Sequence, residues 1–273
     1  MKRMIFFLHA LKLNHSKKKR HLKSLFKAGP TMIVAHRGLT SAHLENTLEA
    51  LKEAFSKGAD GVEFDVQLGL DLVPLVFHDR NLLRLTGVDN NIDHLSSSEL
   101  LKLRQMSDLY SSSYRIATLE EVLSAMPSNK LINIELKETT RMKGLKGMKR
   151  VLEIIAPHKN RLKIVISSFE PVILEMVAKL DPDYALGLLL DKYLTLFSWA
   201  RARAVLDKVD YLHPHIDLLN PALSAKVKKM GLNLILWGHK KLGEETDFIN
   251  DHHTALISDL CPDLLKKESA RSQ

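Results

Sequence analysis

The sequence predicts an α/β protein built as a distorted (β/α)8 barrel, and three observations predict it. First, between Thr31 and Gly87 three apolar runs each end in chemically capable residues. IVA ends in His36-Arg37-Gly38, the run around Val62 carries Glu63 and Asp65, and LVF ends in His78-Asp79. Buried strands that deliver charged groups at their C-terminal ends are the layout of a barrel active site. Second, strand-like and helix-like segments alternate from there to residue 258, with about nine strand candidates for the eight positions of such a barrel. Third, 273 residues hold one barrel of about 250 residues without strain.

Each element follows in order. Residues 31–35 are the first strand, and the loop after it carries Glu45-Asn46. Asn46, with Glu49 three positions on, reads as a capping-box variant. Leu48, Leu51 and Phe55 then form the buried stripe of a helix that stops at Gly58. Residues 61–66 are the next strand, and Glu63 and Asp65, at i and i+2, share one of its faces. Only Gln67 to Leu72 separates it from VPLVFH. That is too short for a crossover helix, which with its loops needs at least about 10–12 residues. Either 73–78 or the last candidate, 255–258, therefore lies outside the regular repeat. Residues 80–117 break the rhythm as an insertion after this third strand unit, with a short helix over Ser97–Leu103 and serine clusters read as a cap and a loop. Thr118 and Glu121 open the following helix as a capping box.

Leu131–Leu136 is a strand that puts Glu135 and Lys137 on one face. Residues 141–157 read as an outer helix, Leu162–Ile166 as a strand and Glu170–Leu180 as its helix. After the strand Tyr184–Leu190 comes a connection rich in apolar residues: Tyr193, Leu194, Leu196, Phe197 and Trp199. It reads as an outer helix, with an apolar lip for a lipid chain as the functional alternative. Val209–His213 leads to a polar strand end at His213-Pro214-His215, and Leu232–Leu236 leads to Trp237. Three segments result: an extension over 1–30, a catalytic domain over 31–265 and a polar tail over 266–273.

The net charge of +8 is concentrated rather than spread. Nine of the 40 Lys and Arg residues lie in residues 1–30, where there is no acid, so the rest of the chain is balanced. The extension reads as a solvated basic arm. The sharper alternative is peripheral membrane contact, with Ile5, Phe6, Phe7, Leu8 and Leu11 at a lipid surface and the lysines over acidic headgroups. The arm carries no nucleic-acid-binding motif, and no run approaches the roughly 18 apolar residues of a spanning helix. A signal peptide is disfavoured because the apolar run holds His9 and Lys12 follows. One cysteine, Cys261, forms no internal disulfide and suits a cytoplasmic setting, with the arm facing the inner membrane surface. There is no P-loop, dinucleotide fingerprint or nucleophile elbow.

The charged strand ends carry the chemistry. Two carboxylates on one strand face repel, and a divalent cation is the usual way to hold both ionised. His36 and His78 suit a general acid and a general base near neutral pH. Arg37 offers a planar fork for phosphate oxygens, and Lys137 a point charge. Glu135 is the candidate third carboxylate; an inward Glu135–Lys137 pair with a purely structural role is the alternative. Glu45 stands where it can face a metal or a polar substrate.

These residues also carry a resemblance. HRG, EN nine positions after the histidine, GADGVEFDV, VPLVFHD, LxRxTG, LINIELK, ISSF and LILWGH keep the order and spacing of the glycerophosphodiester phosphodiesterase family, over roughly residues 31 to 262. That family is related to phosphatidylinositol-specific phospholipase C-like phosphodiesterases. The resemblance implies a TIM barrel in which Glu63, Asp65 and Glu135 hold one divalent ion, Mg²⁺ or Ca²⁺. It implies His36 as base, His78 as acid, and Trp237 as an aromatic wall for the substrate glycerol. Where the family has WTVN, this chain has WGHK. The implied substrates are glycerophosphodiesters such as glycerophosphocholine and glycerophosphoethanolamine, cleaved to glycerol 3-phosphate and an alcohol. A lysophospholipase D-like activity is the nearest alternative. A non-catalytic barrel that binds such diesters or membranes is the alternative of another class.

Overall fold

The computed structural model of the chain describes residues 31–138, 144–193, 202–239 and 255–263. Eight parallel strands close into a barrel: β1 (Met32–His36), β2 (Gly61–Leu68), β3 (Leu131–Leu136), β4 (Lys163–Ser168), β5 (Ala185–Leu190), β6 (Tyr211–Pro214), β7 (Asn233–His239) and β8 (Ala255–Ser258). Closure comes from β1, which pairs in parallel with β8 on one side and β2 on the other. The ambiguity over the ninth strand candidate is thereby resolved. Residues 255–258 belong to the barrel, and Pro74–Val76 does not. Pro74–Val76 folds back antiparallel on β2, and Ala117–Thr118 pairs antiparallel with it in turn.

Alternation along the strands divides the interior into two compartments. Val34, Leu131, Val165, Ala185, Tyr211, Ile235, Ala255 and Ile257 form one buried cluster, which plugs the inside of the barrel. Residues of opposite parity, among them Val62, Phe64, Val66, Ile132 and Ile134, face outward into the larger cluster under the helices. Those helices include α1 (Leu48–Ser56), α2 (Leu119–Ala125), α3 (Gly144–Ile155), α4 (Pro171–Leu180) and α5 (Pro221–Lys229). In α3 the stripe Met148, Val151, Leu152 and Ile155 is buried at helical spacing. The capping box at Thr118 is formed as expected, with Glu121 reaching back to the Thr118 N–H.

The segment between β2 and β3 holds its own small core, built on Leu75, Phe77, Leu82, Leu85, Ile92 and Leu100. It contains two single-turn helices, Leu83–Thr86 and Ser97–Leu100. The second is shorter than the seven-residue helix expected there. Tyr110 donates from its hydroxyl to the Thr40 carbonyl, which ties this segment to the loop after β1. No described helix is long and apolar enough to cross a membrane. The basic arm, Leu194, Leu196, Phe197 and Trp199 of the apolar connection, and the polar tail lie outside the described residues.

Candidate active site

His36 ends β1, Glu63 and Asp65 lie on β2, Glu135 and Lys137 stand at the end of β3 and Trp237 lies on β7, while Arg37, Glu45 and His78 stand in the connections; all but Glu45 and Asp65 line one cavity of about 320 Å³. Its charged side is built by β1, β2 and β3. Glu63, Asp65 and Glu135 are all buried, and one ligand oxygen from each lies within 4.8 Å of the other two. Register explains the grouping: His36 is level with Glu63, and Asp65 with Glu135, across adjacent strands.

Burial of three carboxylates requires compensation. Lys137 Nζ lies 2.9 Å from Asp65 Oδ1 and 2.6 Å from Glu135 Oε1. Arg37 Nε lies 3.2 Å from Asp65 Oδ2. Burial works against ionised Asp65, but Lys137 and Arg37 overcome it and hold the carboxyl well below the usual range. Glu63 differs. It accepts the Arg37 backbone N–H at 3.2 Å through Oε2, whereas buried Oε1 accepts no hydrogen bond. Burial and the Asp65 charge push its pKa up to about 8. A buried carboxylate oxygen without a donor, beside two further carboxylates, is the donor set of a hard divalent cation. The residues present therefore fit such an ion.

The two histidines flank this triad, and each is anchored through Nδ1. His36 Nδ1 is 2.5 Å from Asp259 Oδ1, and its Nε2 is 3.8 Å from Glu63 Oε2. Burial opposes an imidazolium at His36. The Asp259 hydrogen bond and the Glu63 charge outweigh it, so the pKa is raised. His78 Nδ1 is 2.6 Å from Asp79 Oδ1. A carboxylate at Nδ1 fixes the tautomer and aims Nε2, the nitrogen left for chemistry.

Sequence reasoning left the residues behind the histidines without roles. Arg84 Nε contacts Asp79 Oδ2 at 2.5 Å, and its Nη atoms span Glu45 at 2.7 and 3.1 Å. Glu45 Oε1 in turn lies 3.0 Å from Arg37 Nη1. A chain of alternating charge thus runs from His78 through Asp79, Arg84, Glu45 and Arg37 to Asp65. Glu45 sits within this chain, between two guanidinium groups. The visible signals were the HD dipeptide for Asp79, the arginine of LxRxTG for Arg84, and the last strand end for Asp259.

Asn46 corrects an expectation. Thr47, not Asn46, caps α1, accepting the Ala50 N–H at 3.2 Å. Asn46 has φ 58, donates to Asp65 Oδ2 at 2.8 Å and accepts the Asp65 backbone N–H at 3.1 Å. Asparagine tolerates this left-handed conformation better than most residues, and it is used here to hold a carboxylate. The opposite wall of the cavity is aromatic. Trp237 packs edge-on against His215 and Phe169, with ring centroids 4.7 and 5.4 Å away, and donates from Nε1 to the His213 carbonyl at 3.0 Å. His213 itself is fully buried, and burial lowers its pKa to about 3. His239, in the WGHK segment, is buried on the cavity wall with Nδ1 2.9 Å from Ser258 Oγ.

Known proteins share this arrangement of chain and fold. The family model described as "Glycerophosphoryl diester phosphodiesterase family" matches residues 36–259. A glycerophosphodiester phosphodiesterase from Caldanaerobacter subterraneus is 31% identical over 212 residues, which are 76% of this chain and 85% of that protein. The structure of an Oleispira antarctica phosphodiesterase in complex with sn-glycerol-3-phosphate superimposes with a TM-score of 0.73 at 25% identity, covering 89% of this chain and 98% of that one. A Mus musculus lysophospholipase D is 34% identical over 117 residues, 40% of this chain and 35% of its own length. On the family match, the barrel and the order of its strand-end residues, this chain belongs to the glycerophosphoryl diester phosphodiesterase family.

Proposed function

We propose that this chain hydrolyses glycerophosphodiesters such as glycerophosphocholine and glycerophosphoethanolamine to glycerol 3-phosphate and an alcohol. The observation that carries the reading is the pair of histidines, each held by its own aspartate at Nδ1, on either side of a buried triad of carboxylates. His36, with its raised pKa, takes the proton of the attacking hydroxyl, and His78 returns one to the leaving oxygen. Arg37 and Lys137 offset negative charge that develops on the non-bridging oxygens. Glu63, Asp65 and Glu135 would hold one Mg²⁺ or Ca²⁺, which polarises the phosphoryl group when bound. Phe169, Trp237 and His215 would present an aromatic wall to the glycerol carbons.

A second reading, lysophospholipase D-like hydrolysis, is favoured by the apolar side of the cavity, where Leu189 and Ile257 join the aromatic wall. The apolar composition of the connection from Tyr193 to Trp199 and the basic composition of residues 1–30 lean the same way. The kcat/KM ratio of glycerophosphocholine to lysophosphatidylcholine separates the two.

The test is release of glycerol 3-phosphate with EDTA, Mg²⁺ or Ca²⁺ by wild type, Glu63→Ala, His36→Ala and His78→Ala. Release that needs metal, and falls by at least about 10²-fold in each histidine variant, supports the reading. Near-wild-type turnover in either histidine variant removes that residue from the mechanism.

A further inference from the structure

Among the described residues, three large apolar side chains of the segment between β2 and β3 face solvent: Leu83 at 52%, Met106 at 57% and Leu109 at 83% exposure. A two-stranded antiparallel ribbon carries two of them. Arg104–Gln105 pairs with Tyr114–Arg115, and residues 106–113 form the tip between these strands. Met106 and Leu109 stand on that tip. The Met106 N–H donates to the Leu85 carbonyl at 2.7 Å, which brings the single turn that begins at Leu83 alongside. Alternation separates the two faces of the ribbon. Gln105 and Tyr114 are buried, whereas Arg104 and Arg115 are exposed and lie directly opposite each other.

Two like charges so placed repel. Glu121 offsets one of them, lying 2.8 Å from Arg115. The Arg104 side chain makes no hydrogen bond or ion pair with a described residue. Between Leu100 and Leu119 the chain carries three basic residues, Lys102, Arg104 and Arg115, against the single acid Asp108. The ribbon therefore has an apolar tip above a cationic stem. An acidic lipid surface has the complementary layering, with hydrocarbon behind a plane of anionic headgroups. A second protein is a poorer match, since a turn with two apolar side chains covers far less than the roughly 800 Å² per partner of a stable protein interface.

We propose that this ribbon docks on a membrane surface that contains acidic lipids, with Leu109 and Met106 entering the apolar zone and Arg104 and Lys102 against headgroup phosphates. The surface is separate from residues 1–30, and the proposal does not depend on which diester is cleaved. The ribbon is also fastened to the site. Tyr110, on the tip, donates to the Thr40 carbonyl, and Leu44 packs in the same small core as Tyr114. Both partners belong to the loop that carries Arg37 and Glu45. Docking therefore sets this loop, and the cavity mouth beside it, close to the lipid surface.

The experiment uses the full chain and vesicles of phosphatidylcholine, with or without phosphatidylglycerol. In Leu109→Trp, acidic vesicles should shift the added emission to the blue, and brominated acyl chains should quench it; wild type, with its two tryptophans, gives the background. In sedimentation, Met106→Ser with Leu109→Ser should lower partition onto acidic vesicles by at least about tenfold. Arg104→Gln should lower the preference for acidic over neutral vesicles by about fivefold. Emission from Leu109→Trp that is not quenched in vesicle-bound protein overturns the proposal, since it places the tip away from the lipid. Equal partition of wild type and the double serine variant overturns it as well, as does failure of wild type to bind either vesicle. Emission already blue-shifted without vesicles shows a tip covered by protein and also refutes it. None of these readouts uses turnover, so failure here leaves the hydrolytic reading standing.

Discussion

Gly38 is where the turn that presents Arg37 meets the scaffold, and Gly38→Ala makes a quantitative test of it. The residue has φ +88, and a Cβ placed there would lie 2.5 Å from the Ala50 carbonyl carbon, 2.7 Å from its oxygen and 2.7 Å from Leu51 N. All three atoms are backbone of α1, and Ala50 and Leu51 are fully buried. The left-handed conformation costs an alanine about 1–2 kcal/mol. Relieving the overlap requires a displacement of about 1 Å of a packed helix, for roughly 1–3 kcal/mol more. The expected loss is about 2–5 kcal/mol in urea unfolding, or roughly 5–15 °C in melting temperature for a chain of this size. Gly87→Ala is the internal control. It has φ +73 and nothing within 4 Å of the added carbon, so only the conformational cost applies. Turnover separates them too. The Arg37 N–H that reaches Glu63 shifts with the turn, and a misplacement near 1 Å lowers rate by about 10²-fold. If the two variants differ by less than about 1 kcal/mol and keep equal turnover, α1 yields freely and the argument that this contact fixes Arg37 is wrong.

Three further outcomes follow from the site. Asp259→Asn removes the carboxylate charge at Nδ1 that helps raise His36, so the acidic limb of kcat/KM should move to lower pH; a limb that stays in place refutes the pairing of His36 and Asp259. Arg84→Lys can serve only one of its two carboxylates at a time, so kcat should fall about tenfold with the melting temperature nearly unchanged. The metal-free protein should lose stability as pH rises from about 6.5 to 8, followed by thermal melting in EDTA. The folded state holds protons on Glu63 and His36 that the unfolded chain has released. His213, whose pKa lies low in the folded state, adds a smaller opposite slope near pH 6.5, where the unfolded chain still binds its proton, and none by about pH 8. Added Mg²⁺ or Ca²⁺ should reverse the loss.

The barrel was legible because its strands end in groups that no ordinary buried strand would carry. Glu63 and Asp65 at i and i+2 announced both an extended segment and a shared face, and the folded chain has them on one wall of β2. The short spacing before VPLVFH showed correctly that something there was irregular. Which candidate lay outside the barrel was not legible, since that depends on the pairing of β1 with β8, more than two hundred residues away in sequence. Asn46 was misread for a related reason. A capping pattern is local, whereas its actual partner, Asp65, lies 19 residues further on, on β2. Arg84, Asp79 and Asp259 stood in visible motifs, but nothing local in the sequence showed which side chains they would meet. Their meaning comes from the side chain each one meets across the fold.

The bond between His36 and Asp259 joins the first strand of the barrel to the end of the last. While the chain is being made, His36 is among the earliest parts of the barrel to emerge, and Asp259 among the latest. Before β8 docks, the histidine has neither the last strand beside it nor its aspartate, however well the carboxylates of β2 and β3 are already arranged. If His36 acts as proposed, catalysis is gated by the closing step of folding. A barrel open at the β1–β8 seam holds nearly every residue of the site and still lacks an oriented His36, so on the proposed mechanism activity serves as a readout of ring closure, distinct from the amount of secondary structure formed.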